Sequence, residues 1–266
     1  MSSDKLNVPP GYATTLFDLS GRVAVVTGGG SGLGQAISIG FAQLGVDVVI
    51  ADINRDGAEQ TLATIEEQGG KASAVTLDVT QREQCDALAQ SVNRDHGRVD
   101  ILVNSAGSAH RSPAEDFPED RFDFIIALNL KGTYLCCQSF GRVMLEQGKG
   151  SIINLASIGS FNAYPWASAY LASKGGVLQI TRALALEWRD RGVRVNGIGP
   201  TLMETPLISR VDKSNSITSD FIIERMIRTR LGLPKELIGA AVFLASDASE
   251  LVTGHTVMCD DGYLAV

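Results

Sequence analysis

Short apolar, β-branched runs alternate with longer amphipathic stretches along most of the chain. The runs at 22–28 (RVAVVTG), 47–52 (DVVIAD), 72–79, 99–106 (VDILVNSA), 151–157 (SIINLAS), 193–198 (VRVNGI) and 256–259 predict seven strands. Helical periodicity fills the gaps at 31–44, 55–68, 82–96, about 119–147, about 167–189 and 234–246. Because the strand runs are apolar throughout rather than alternating, both of their faces must be covered. That pattern predicts an α/β chain with a doubly wound, seven-stranded parallel sheet and helices on both faces. Right-handed crossovers then bring every strand's carboxyl end to one edge, where ligands bind. The one long insertion without a strand, 201–233, is rich in Ile, Leu, Met and charge, and predicts a helical lid over that edge.

Composition narrows the partners. At 266 residues with no Pro/Gly/Ser linker, one domain is expected, 21–266, after an N-terminal extension at 1–20. A net charge of −7 argues against nucleic acid or an anionic membrane as partner. The start of the chain lacks the pattern of a secretory signal, and no apolar run reaches the roughly 20 residues a membrane span needs. A cytoplasmic location is expected. Cys85, Cys136, Cys137 and Cys259 form no Cys-x-x-Cys and read as reduced thiols, and His96, His110 and His255 form no zinc motif, so no metal is expected.

The first strand runs into Thr27-Gly28-Gly29-Gly30-Ser31-Gly32-Leu33-Gly34, just before a helix. Glycines there allow a tight turn and let backbone N–H groups approach a pyrophosphate at the helix N-terminus. Asp52 ends the second strand and can accept hydrogen bonds from the adenosine ribose hydroxyls, while repelling a 2′-phosphate. Ile53 follows it rather than Arg, and Ser31 brings no positive charge to the turn. These residues predict a Rossmann-type dinucleotide site that takes NAD. Asp78, beside Val79 at the end of the third strand, either contacts adenine or caps the following turn.

From about residue 19 to 264 the chain resembles the short-chain dehydrogenase/reductase family. The resemblance is carried by the glycine turn, by Asn104-Ser105-Ala106-Gly107, by Ser157, and by Tyr170 with Lys174 four residues later. Of the five tyrosines, only Tyr170 has Lys at that spacing. The resemblance implies a catalytic set of Asn129, Ser157, Tyr170 and Lys174. It also implies nicotinamide-side contacts from Pro200 and Thr205, and cofactor contacts from Asn104, Ala106 and Gly107. Two positions depart from the family's habit: Pro200 is followed by Thr201 rather than Gly, and a usual Asp-Gly-Gly reads Asp260-Asp261-Gly262.

Chemistry follows from that set. Tyr170 and Lys174 share one helix face, one turn apart. A free phenol titrates near 10, and an ammonium about 4 Å away is expected to acidify it enough to make a general base. Ser157 would stabilise developing alkoxide charge, Lys174 would hold the nicotinamide ribose, and Asn129 would position a water beside Lys174. Specificity is expected from three loops, 108–117, 158–166 and 201–231. Ser108, His110, Asn162 and Trp166 are the candidate substrate contacts, with Arg111 and Ser112 nearby. Within the family the chain looks most like bacterial polyol and sugar dehydrogenases, which implies oxidation of a sugar alcohol to a ketose by a homotetramer. A 3-oxoacyl-thioester reductase, a dehydrogenase of hydrophobic alcohols and a non-catalytic nucleotide sensor are the alternatives.

Overall fold

The computed structural model describes residues 8–212 and 216–266, so 1–7 of the extension and 213–215 of the lid lie outside the described residues. Seven parallel strands form one sheet in the order β3-β2-β1-β4-β5-β6-β7. They are β1 Val23–Thr27, β2 Asp47–Asp52, β3 Lys71–Thr76, β4 Ile101–Asn104, β5 Gly150–Leu155, β6 Val193–Pro200 and β7 Thr256–Cys259. Alternate residues of β1 feed two cores. Val23 and Val25 face one layer, and Ala24 and Val26 the other. The first layer is covered by α4 (Arg82–His96), α6 (Thr133–Gln147) and α7 (Ser168–Trp188), and the second by α2 (Gly32–Gln43), α3 (Arg55–Glu67) and α10 (Ile238–Ala245). The wholly buried β1, β4 and β5 explain why their sequences lack alternation.

The helix expected at 119–147 is three pieces. α5 (Glu119–Ile125) passes into a π-helical segment, Ile126–Gly132, before α6 resumes. Asn129 sits in that π segment, a geometry often found at functional sites. The extension carries a short α1 (Tyr12–Thr15) that the sequence did not predict, and the lid contributes α8 (Pro206–Asp212) and α9 (Ile217–Ile223). Strand order reverses its direction of growth between β1 and β4, and the crevice above that pair is where such sheets bind ligands.

Candidate active site

The register brings Thr27, Asn104 and Asn154 side by side at the carboxyl ends of β1, β4 and β5. Above them a groove of about 670 Å³ runs along the sheet edge. A cavity of similar size at the opposite edge is lined by Arg22, Asp100, Lys149, Arg194 and Asp247. Its charges are already engaged, Arg22 and Lys149 with Asp247 (3.0 and 3.4 Å) and Arg194 with Ser249 (2.8 Å), so it supports packing.

The groove floor is the glycine turn. Gly28 has φ +67°, and a Cβ there would lie 2.7 Å from the Ala106 nitrogen; a Cβ on Gly34 would lie 2.2 Å from the Gly28 oxygen. Only glycine lets the turn close on the β4 loop and on its own helix. Ser31 begins α2 in extended conformation without a side-chain cap, leaving the first N–H groups of a twelve-residue helix directed at the groove. An anionic pyrophosphate suits that arrangement. Asp52 accepts hydrogen bonds from Gly30 N (2.9 Å) and Asn54 N (2.8 Å), which orients its carboxylate while the residue lines the groove.

Of the expected cofactor contacts, Gly28, Ser31, Gly32, Leu33, Asp52, Ile53, Asp78, Val79, Ala106, Gly107, Tyr170, Lys174, Pro200 and Thr205 all line this groove, as does Ser108. Gly34 and Asn104 lie behind it. Asn104 is 3% exposed and donates to Asn154 (2.8 Å), supporting the strand ends. Asp78 caps its turn through Thr80 N (2.9 Å) and Thr80 Oγ1 (2.7 Å). Burial opposes ionisation of Asp78, but these hydrogen bonds and one from Gln81 prevail and hold its carboxyl below the ordinary range.

A second, smaller cavity adjoins the groove, lined by His110, Arg111, Ser157, Ile158, Tyr164 and Leu202 among others. Tyr170 lines both spaces, at the wall between them. Ser157 leaves β5, is 4% exposed, and accepts from Gly159 N (3.0 Å), which fixes its hydroxyl beside the phenols. Asn129 is fully buried, accepts from Ser108 N (2.9 Å), and donates to Ser108 O (2.9 Å) and Ser173 Oγ (3.0 Å). It therefore pins the loop after β4 to α7. Asn162 is exposed and Trp166 gives its carbonyl to Ser112 N (3.1 Å); neither side chain lines the cavity.

The expected acidification of Tyr170 needs correction. Lys174 Nζ lies 5.8 Å from the Tyr170 ring centre and donates instead to the Leu155 carbonyl at 2.6 Å. Burial raises the Tyr170 phenol above 10, and a hydrogen bond with Ser157 only partly opposes it. Burial likewise lowers Lys174 to about 8. The sequence reading also passed over Tyr164, Leu207, Ile208 and Arg210, which line the two spaces. Tyr164 lacks a Lys at the following turn, so the motif that found Tyr170 carries no signal for it.

A family model described as enoyl-(acyl carrier protein) reductase matches residues 28–264. The chain belongs to the short-chain dehydrogenase/reductase family. It is an oxidoreductase of that family, whose members use nicotinamide cofactors. It is 41% identical to D-threitol dehydrogenase of Mycolicibacterium smegmatis, over 93% of this chain and 94% of that one. It is 37% identical to the NAD-dependent glycerol dehydrogenase of Listeria innocua, over 93% and 95%. A crystal structure of gluconate 5-dehydrogenase from Burkholderia cenocepacia, in complex with NADP and tartrate, superposes with a TM-score of 0.89 at 35% identity, covering 96% of this chain and 99% of that one. Among the described residues, no helix is long and apolar enough to cross a membrane, and no three His, Cys, Asp or Glu side chains cluster to hold a metal ion.

Proposed function

We propose that this chain transfers a hydride between NAD(H) and a secondary alcohol carbon of a sugar alcohol, giving the matching ketose, with Tyr170 as acid/base. The carrying observation is the position of Tyr170 between the dinucleotide groove and the cavity that holds Ser157. A reacting carbon there meets a proton donor on one side and the cofactor on the other. When bound, the oxidised cofactor accepts the hydride and brings positive charge beside the phenol. A protonated Tyr170 is ready to donate to a ketone oxygen in reduction. In oxidation, Tyr170 must first give up its own proton; the phenolate then takes the proton of the alcohol that Ser157 holds, as the carbon loses its hydride. Asn129 keeps the Ser108 loop and Ser173 fixed beside the site.

NAD is favoured by Asp52, whose carboxylate lines the adenosine end of the groove with Ile53 rather than a cation beside it. Relatives named for threitol and glycerol support a polyol substrate. Arg111 in the substrate cavity favours a second reading, a sugar acid whose carboxylate it faces, in keeping with the gluconate relatives. A homotetramer accompanies either reading, supported by exposed Phe122, Tyr134 and Leu186 on α5, α6 and α7. The test is a cofactor-reduction screen of four- to six-carbon polyols and aldonates with NAD and NADP. Turnover of a polyol with NAD is expected. Activity on acyl thioesters with none on any polyol or aldonate would overturn the reading.

A further inference from the structure

The substrate cavity holds two phenols, and the chemistry above uses only one. Tyr164 lines the same cavity as Ser157 and Tyr170. Its ring packs against the apolar cluster of Ile158, Leu202 and Ile222. Its hydroxyl lies over Gly159, where a Cβ would stand 2.8 Å from the phenolic oxygen. The loop is braced on both sides of it. Pro165 gives its carbonyl to Thr218 Oγ1 on α9 (3.0 Å), and Trp166, at φ +65°, gives its own to Ser112 N (3.1 Å). A left-handed tryptophan is a strained backbone position, and such strain persists where surrounding contacts over-determine it.

Tyr164 and Tyr170 line the cavity together with Ser157, which moderates the rise in pKa of both phenols. Burial, and then the neighbouring Tyr170, push the Tyr164 phenol well above its ordinary range. It therefore stays a neutral O–H group and cannot serve as a second base. With Ser157 and Tyr170 assigned to the reacting oxygen, the Tyr164 hydroxyl, held over Gly159 in the same cavity, is a further donor within the substrate space. In a simple alcohol nothing polar would reach it. In a vicinal diol or an α-hydroxyketone, the adjacent oxygen would.

We propose that Tyr164 is the specificity-determining residue of this site, hydrogen-bonding the hydroxyl next to the reacting carbon and so selecting vicinal diols over isolated secondary alcohols. This rests on the polyol reading above and names the feature of the polyol that is recognised. A site built around a substrate hydroxyl rejects the analogue lacking it, because its own polar group is then left unpaired.

The test compares 2,3-butanediol with 2-butanol, which differ by one hydroxyl, in the wild type and in Tyr164→Phe. A tetritol is run in parallel. The wild type is expected to favour the diol by about 100-fold in kcat/KM, and Tyr164→Phe to reduce that ratio to about 3-fold, mainly through KM, with 2-butanol little changed. Tyr164→Met, which keeps an apolar side chain against Ile158 and Leu202 and removes the hydroxyl, is expected to lose the same preference and serves if Tyr164→Phe folds poorly. Equal losses on both alcohols, or no change on either, overturn the assignment and leave the polyol reading standing. A wild type inert toward tetritol and both butanols overturns both.

Discussion

Lys174→Met is expected to make the protein no less stable at pH 7 while abolishing turnover. Lys174 is 7% exposed and burial lowers its pKa from 10.5 to about 8. At pH 7 the ammonium is charged in both folded and unfolded chains, so folding carries its desolvation. The gap between 10.5 and about 8 corresponds to about 3 kcal/mol at roughly 1.4 kcal/mol per pH unit. Against this, the charged hydrogen bond to Leu155 O contributes about 1.5–3 kcal/mol that Met cannot replace. The net effect is a variant between equal to the wild type and about 1.5 kcal/mol more stable, a Tm rise of up to about 3–6 °C.

The pH dependence is the sharper reading. Between about pH 8 and 10.5 the unfolded chain binds the proton that the folded chain has lost, so wild-type stability rises with pH across that window. The variant lacks this gain. Wild type should therefore improve on Lys174→Met by about 2 kcal/mol between pH 7 and pH 10. Urea unfolding of both proteins at the two pH values measures it, and other titrating groups cancel in the double difference. A variant more than 2 kcal/mol less stable at pH 7, or a stability difference constant with pH, would refute the reasoning.

Asp52→Asn removes the charge that repels a 2′-phosphate while keeping an acceptor for Asn54 N; the ratio of kcat/KM for NAD over NADP should fall at least about 10-fold, and an unchanged ratio would contradict the role given to this carboxylate. Gly34→Ala sets a Cβ 2.2 Å from the Gly28 oxygen, so the phosphate turn must open; a loss of about 1–3 kcal/mol and weakened NADH binding are expected in unfolding and fluorescence titrations. Gly175→Ala, inside α7 with nothing within 4 Å of its Cβ, is the control: NADH binding should be unchanged and stability should rise by up to about 1 kcal/mol.

Much of this architecture is legible from pattern because burial on both faces leaves β1, β4 and β5 uniformly apolar. The glycine turn is legible because its contacts admit no side chain, so chemistry and sequence coincide there. Other features are set by tertiary contacts that no short window contains. The sequence 126–132 reads as ordinary helix, yet Gly132 packs so close to Val79 that a Cβ would lie 2.7 Å from its methyl, and the segment adopts π geometry. Helical spacing correctly put Lys174 one turn from Tyr170, but spacing cannot tell that the ammonium turns to Leu155 O, and so the phenol is not acidified by it. In the irregular loop 158–166, polarity pointed to Asn162 and Trp166. Without a regular period, it could not show that Tyr164 is the side chain directed into the cavity.

The central claim is that the Tyr170 hydroxyl moves the proton that accompanies the hydride. Tyr170→Phe removes only that oxygen from a site whose groove is otherwise intact. With the polyol and cofactor that the wild type uses, kcat is expected to fall by about 10³-fold or more, while NADH affinity by fluorescence stays within about 3-fold. Turnover in Tyr170→Phe close to that of the wild type would contradict the account.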